Sequence, residues 1–229
     1  MKNIFYPKLA ITLSIYAVSS VFAGDIAPDE VLAGVAVCGK ESDWFDCASG
    51  VEKKRLRESP NILSRNGKIL KIKTQSKMVT LTDRKVKDGD SDTYRYLTFD
   101  AKIKSHIVFY LWGKGNFGGS DFKVIPDFTG KEFDMLSYPT ISPDGQYLMA
   151  YAGDSSGDSN NGVEIWQING GQFKKVADFN QMDWAPGKAV WSGSNKVLVT
   201  KECLMETNGC GNASIFLSSG TWKLLDKSK

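Results

Sequence analysis

His106 is the one histidine in 229 residues, so any Ser-His-Asp or Cys-His catalysis would have to run through it. It opens the apolar run His106-Ile-Val-Phe-Tyr-Leu-Trp112, where a hydrogen-bonded structural histidine is the favoured reading. One histidine also cannot build the histidine-based centre of a catalytic zinc site. Carboxylates are the remaining candidates. Asp43, Asp46, Asp121, Asp127, Asp134 and Asp183 all lie near aromatic residues. Two acids across a sugar ring, with tryptophans to stack on it, would make a glycoside hydrolase. Turn and solvated roles account for most acids of this kind.

A second group is rich in oxygen. Asp154-Ser-Ser-Gly-Asp158-Ser-Asn160-Asn-Gly-Val-Glu164 offers the hard ligands that Ca²⁺ takes, with Asp154, Asp158, Asn160 and Glu164 as the candidates. Its spacing departs from the EF-hand pattern, and a solvated loop is favoured. Gly113-Lys-Gly-Asn-Phe-Gly-Gly119 lacks the Gly-Lys-Ser/Thr ending of a phosphate loop. It reads as a flexible, glycine-rich contact loop. The expectation is therefore no cofactor, with calcium as the one candidate. Six tryptophans and eight tyrosines supply interface anchors or, more often, core. Asn212-Ala213-Ser214 fits the glycosylation triplet but carries no weight in a bacterial-looking chain.

The remaining composition narrows the class. Lys2 and Lys8 precede a short apolar core, Leu9 to Val18, and Val21-Phe-Ala23 has small residues at −3 and −1. This is the pattern of a signal peptide, 1–23, cleaved after Ala23. Its core is shorter than the roughly 20 residues of a membrane span. The expected location is periplasmic or secreted, with no membrane span after cleavage. Removing two lysines takes the net charge from +3 to about +1, which excludes the strong basic bias of a nucleic-acid binder. The local cluster Glu52-Lys-Lys-Arg-Leu-Arg57 reads as a solvated helix or loop face. Four cysteines in an export context predict disulfides. Of the three possible pairings, the local ones, Cys38–Cys47 and Cys203–Cys210, are favoured.

Periodicity predicts an all-β protein. After a lead-in, 24–65, in which a Cys38–Cys47 loop encloses Trp44 and Phe45 and a helix runs from Val51 to Glu58 before Pro60, short alternating runs appear at 69–72 and 78–81. Strands are then expected at 94–100, with Tyr94, Tyr96 and Thr98 on one face, and at 106–112, apolar throughout and so buried on both faces. Further strands follow at 121–126 and 131–136. The plan repeats at 140–141, 147–151, 162–168 and 173–179, with Asn169-Gly-Gly171 as a tight hairpin. A third copy begins at Met182-Asp-Trp-Ala-Pro-Gly187, where Trp184 to Gly187 stands in the place of the Ile141–Gly145 turn, with strands at 189–191, 196–200, 213–217 and 221–225. Four strands per repeat of about 45 residues is the arithmetic of a propeller blade. Three copies and a weak pair fall short of a full ring, so a twisted β-sandwich is the competing architecture.

Ser142-Pro-Asp-Gly-Gln-Tyr147 resembles the Ser-Pro-Asp-Gly-Lys-Tyr turn of TolB-like and WD40-like propeller repeats, and Asn161-Gly-Val-Glu-Ile-Trp166 resembles their later Ile-Trp strand. The resemblance covers about 138–179. It implies a β-propeller fold and little chemistry, in a chain that also looks like small exported bacterial proteins. The expected domain is 24–229. The expected function is a non-enzymatic binding protein presenting loops to a protein partner, such as an inhibitor or immunity protein. The alternative is a carbohydrate- or cell-wall-active hydrolase with paired carboxylates.

Overall fold

A computed structural model describes residues 44–85, 91–114, 117–153, 161–180, 184–203 and 211–226. The signal peptide, the lead-in up to residue 43 (Cys38 and Asp43 included), Asp183, Cys210 and the candidate calcium ligands Asp154, Asp158 and Asn160 lie outside these residues.

The described chain is all-β apart from one helix, α1 (Trp44–Glu58). Asp46 in its first turn and Arg55 and Arg57 in its last turn oppose the helix dipole. Ser59 N–H bonds back to Arg55 C=O, and Pro60 ends the helix. The helix begins earlier than the lead-in reading allowed. Trp44 and Phe45, expected in a loop, belong to its first turn. Its buried face is Ala48, Val51 and Glu52, a helical spacing. No described helix is long and apolar enough to cross a membrane.

Four antiparallel sheets follow. The first is β1 (Leu63–Asn66), β2 (Ile69–Lys73) and β3 (Met78–Thr82). The second has five strands: β4 (Arg84–Lys85), β5 (Ser91–Asp100), β6 (Ser105–Lys114), β7 (Phe117–Pro126) and β8 (Phe133–Met135). The third is β9 (Thr140–Ile141), β10 (Tyr147–Ala152), β11 (Gly162–Asn169) and β12 (Gln172–Asn180). The fourth is β13 (Trp184–Trp191), β14 (Lys196–Cys203), β15 (Asn212–Ser218) and β16 (Thr221–Asp226). Each strand pairs with its sequence neighbour, so every sheet is a meander.

The sheets stack in sequence order, each sharing a core with the next. Leu70, Ile72, Val79 and Leu81 of the first meet Tyr96, Val108 and Ile125 of the second. Ile107, Phe109, Phe122 and Met135, with Ala48 and Val51 of α1, meet Leu148, Ala150, Trp166 and Phe173 of the third. Met149, Tyr151, Val163 and Ile165 meet Trp184, Val197, Ile215 and Trp222 of the fourth. The inner sheets are therefore buried on both faces. This explains the apolar run of β6: Ile107 and Phe109 enter one core and Val108 the other.

The Ser142–Tyr147 turn is built by its own side chains. Gly145 takes φ +72° and donates its N–H to Ser142 C=O. Ser142 Oγ donates to Asp144 Oδ1 at 2.6 Å and accepts from Tyr147 N–H at 3.0 Å. The Ser142 hydroxyl holds the Asp144 carboxyl below the usual carboxylate range.

Three expectations need correction. Trp184 to Gly187 is not a turn but the start of β13, which bulges between Pro186 and Lys188. Gly113 and Gly119 do not belong to a long open loop. They lie in β6 and β7 of a hairpin, registered Gly113 with Gly118 and Trp112 with Gly119. Thr98 does not share the face of Tyr94 and Tyr96, because the register shifts between Tyr96 and Thr98. That bulge brings Phe99 beside His106 instead, with ring centroids 5.1 Å apart.

Candidate functional site

His106 is 3% exposed and bonded on both ring nitrogens. Nδ1 lies 3.1 Å from Tyr96 Oη and Nε2 lies 3.3 Å from Asp127 Oδ1. A carboxylate only accepts, so Nε2 carries the proton given to Asp127, and Nδ1 accepts from the tyrosine hydroxyl. Burial pushes the Tyr96 phenol up, which keeps that donor protonated. Burial also lowers the His106 pKa from its ordinary 6.5, against the pull of Asp127. His106 is thus held neutral in a Tyr96–His106–Asp127 chain that ties β5, β6 and the turn after β7.

That assignment has a pH consequence. A histidine pKa depressed in the folded state means the unfolded chain binds more protons below about 6.5. The His106 contribution is complete above that pH and is lost as pH falls through 6.5 toward the folded value. Urea midpoints at pH 8 and pH 5 should therefore differ more for the wild type than for His106→Gln. Equal differences would contradict a buried, neutral His106.

Asp127 also organises the loops at this end of the stack. It accepts from Gln75 Nε2 at 2.7 Å, and its backbone C=O receives Gln75 N–H from the β2–β3 turn. Its own N–H bonds to Lys104 C=O in the β5–β6 turn, where Lys104 takes φ +48°, a conformation unfavourable for a side-chain-bearing residue. Thr129 Oγ1 donates to Gly171 C=O in the β11–β12 hairpin at 3.2 Å. Gly130 N–H closes the turn onto Pro126 C=O. A Cβ on Gly130 would stand 2.8 Å from the Lys77 side chain. Turns from three sheets are thus locked side by side. Phe128 rides on this lock 67% exposed, and Phe99 is 44% exposed against His106. Sequence reading missed Phe128. The available signal was an aromatic residue inside the turn Asp127-Phe-Thr-Gly130.

The other candidate acids separate. Asp46 is exposed on α1. Asp121 and Asp134 share one face of the second sheet. There Trp112 Nε1 donates to Asp121 Oδ2 at 2.9 Å, and Lys123 Nζ donates to Asp134 Oδ1 at 2.6 Å. Burial raises the Asp121 pKa against the indole hydrogen bond. Glu164, the described calcium candidate, is 4% exposed, ion-paired with Lys175 and bonded by Trp166 Nε1 at 3.1 Å. Cys47 and Cys203 are disulfide-bonded rather than free.

Glu52 departs from the solvated role expected for its cluster. Lys53, Lys54 and Arg57 are exposed as expected, but Glu52 is 3% exposed. It accepts from Tyr96 N–H at 2.8 Å and Arg65 Nη2 at 2.9 Å. Arg65 Nε also lies against Glu52 Oε1 as an ion pair, without hydrogen-bond alignment.

Compared with known proteins, the chain matches no family model, and no curated protein is significantly similar to it.

Proposed function

We propose that the chain is an exported, non-enzymatic binding protein that presents loops from a β scaffold to a protein partner. The observation that carries this reading is Phe128, a large apolar side chain held in water on a turn locked to three neighbouring turns. Keeping the ring exposed sacrifices burial free energy of about 1.5–3 kcal/mol. Locking the turn removes in advance the ordering cost that a mobile loop meets on binding. An aromatic anchor on a pre-ordered turn is what a protein interface needs at its centre. Lys77, Lys102, Lys104 and Lys131 belong to the same turns or flank them, which suits a partner with acidic residues around an apolar recess.

In this reading the four meanders are blades of an incomplete propeller. The chain acts in the periplasm or outside the cell, and an inhibitor or immunity role fits a rigid loop face. Cys38–Cys47 and Cys203–Cys210 close the ends of the domain, and no cofactor takes part. Neutral, doubly bonded His106 serves the scaffold rather than chemistry.

Affinity capture with the exported chain, from its own envelope fraction, tests the reading. A stoichiometric protein partner is the expected result. A clean blank overturns it and moves weight to a carbohydrate- or cell-wall-active hydrolase.

A further inference from the structure

The second sheet is longer than the sheet packed on it. β5, β6 and β7 each have 10 residues, whereas β1, β2 and β3 have 4, 5 and 5. At about 3.3 Å per residue, the longer strands extend well beyond the shorter ones. The register shows what lies along this face. Phe99, His106 and Ile125 form one row, and Tyr96, Val108 and Lys123 the next. Tyr96, Val108 and Ile125 enter the core shared with the first sheet. Two further rows continue along this face: Tyr94, Tyr110 and Asp121, with Tyr94 packed against the edge of that core, then Asp92, Trp112 and Gly119.

This ledge is ordered and aromatic. Tyr94 and Tyr110 stack with centroids 4.8 Å apart and planes 7° from parallel. Tyr110 Oη donates to Asp92 Oδ1 at 2.7 Å, and Trp112 Nε1 donates to Asp121 Oδ2 at 2.9 Å. The indole lies across Gly119, where a Cβ would come within 2.6 Å of Trp112 Cζ2. Glycine is required there for the ring to lie flat on β7. The polar tips of Tyr110 and Trp112 are thus each fixed by an acid, and each acid retains a second oxygen able to accept from a ligand.

We propose that this ledge binds a pyranose ring of a glycan chain. A sugar ring has an apolar C–H face that suits a flat indole and a rim of hydroxyls that suits carboxylate acceptors. A cationic ligand fits less well. Lys123 already lies over both tyrosine rings, 5.0 Å from the Tyr110 centroid and 5.8 Å from that of Tyr94. The ledge lies at the opposite end of β5–β7 from Phe128, so this site does not depend on the protein-binding reading.

Isothermal titration calorimetry of the purified protein with cellohexaose, chitohexaose and a hexa-arginine peptide tests the site. At least one hexasaccharide should bind saturably with a Kd below about 1 mM. Trp112→Ala should weaken that binding at least tenfold. Gly119→Ala, which keeps every ligand-facing group but lifts the indole, should weaken it severalfold, and Phe128→Ala should leave it unchanged. Gly119→Ala decides the matter if Trp112→Ala fails to fold. Saturable binding of hexa-arginine alone overturns the proposal. So does no saturable sugar binding, or sugar binding indifferent to the folded Trp112 and Gly119 variants.

Discussion

Glu52→Ala should lower the free energy of unfolding by about 3–5 kcal/mol, the usual cost of removing one partner from a buried ionic network. The size follows from what the carboxylate serves. Arg65 bonds Asp83 at 3.1 Å and Tyr94 C=O at 2.6 Å in addition to Glu52. Arg95 bonds Asp83 at 2.8 Å and Ser49 Oγ at 3.0 Å, and lies 4.5 Å from the Phe45 ring centroid. Asp83 also accepts from Tyr94 N–H at 2.9 Å. This network joins α1, the first sheet and the edge of β5. Truncating Glu52 leaves the Arg65 charge under-compensated, with only 13% of its side chain exposed, and removes the Tyr96 N–H acceptor. Urea denaturation measures the loss. Glu52→Met with Arg65→Met should recover much of it, because no charge is then stranded. A loss below about 1 kcal/mol for Glu52→Ala would mean that the network is solvated.

Trp222→Ala should cost about 3–5 kcal/mol, the range for deleting a large core ring. Trp222 is 6% exposed on β16 and makes edge contacts with Tyr147 at 5.3 Å and Trp191 at 6.0 Å. It bridges the third and fourth sheets. Its Nε1 is buried without a hydrogen-bond partner among the described residues, which costs free energy in the native state. Trp222→Phe should therefore be much milder, about 1 kcal/mol. Phenylalanine keeps an aromatic ring in the seam and removes the orphaned N–H, which offsets part of the lost volume. Comparable losses for the two variants would show that the indole nitrogen contributes to stability.

Much of the scaffold was legible because strand periodicity and turn chemistry are local. Thr140–Ile141 matched its expected limits, and β10, β11 and β12 lay within one residue of theirs. Asn169-Gly170-Gly171 and Ser142–Gly145 marked their turns through residues that tolerate positive φ. The burial of His106 was legible from the apolar run that it opens. The bulge after Tyr96 was not, because no glycine or proline announces it. Glu52 was misread because a charge run suggests solvent, although Ala48, Val51, Glu52 and Arg55 repeat at helical spacing. The ledge was least legible. It depends on the register of three long strands and on the short reach of the sheet beside them, and both are long-range facts.

The most direct test of the binding account is parallel affinity capture with three baits: the wild type, Phe128→Asp and Leu198→Asp. Leu198 is 41% exposed on the fourth sheet, outside the locked turns, and serves as a matched surface control. The account predicts one stoichiometric protein retained by the wild type and Leu198→Asp and lost from Phe128→Asp. A partner that stays on Phe128→Asp, or no partner on the wild type, would contradict it.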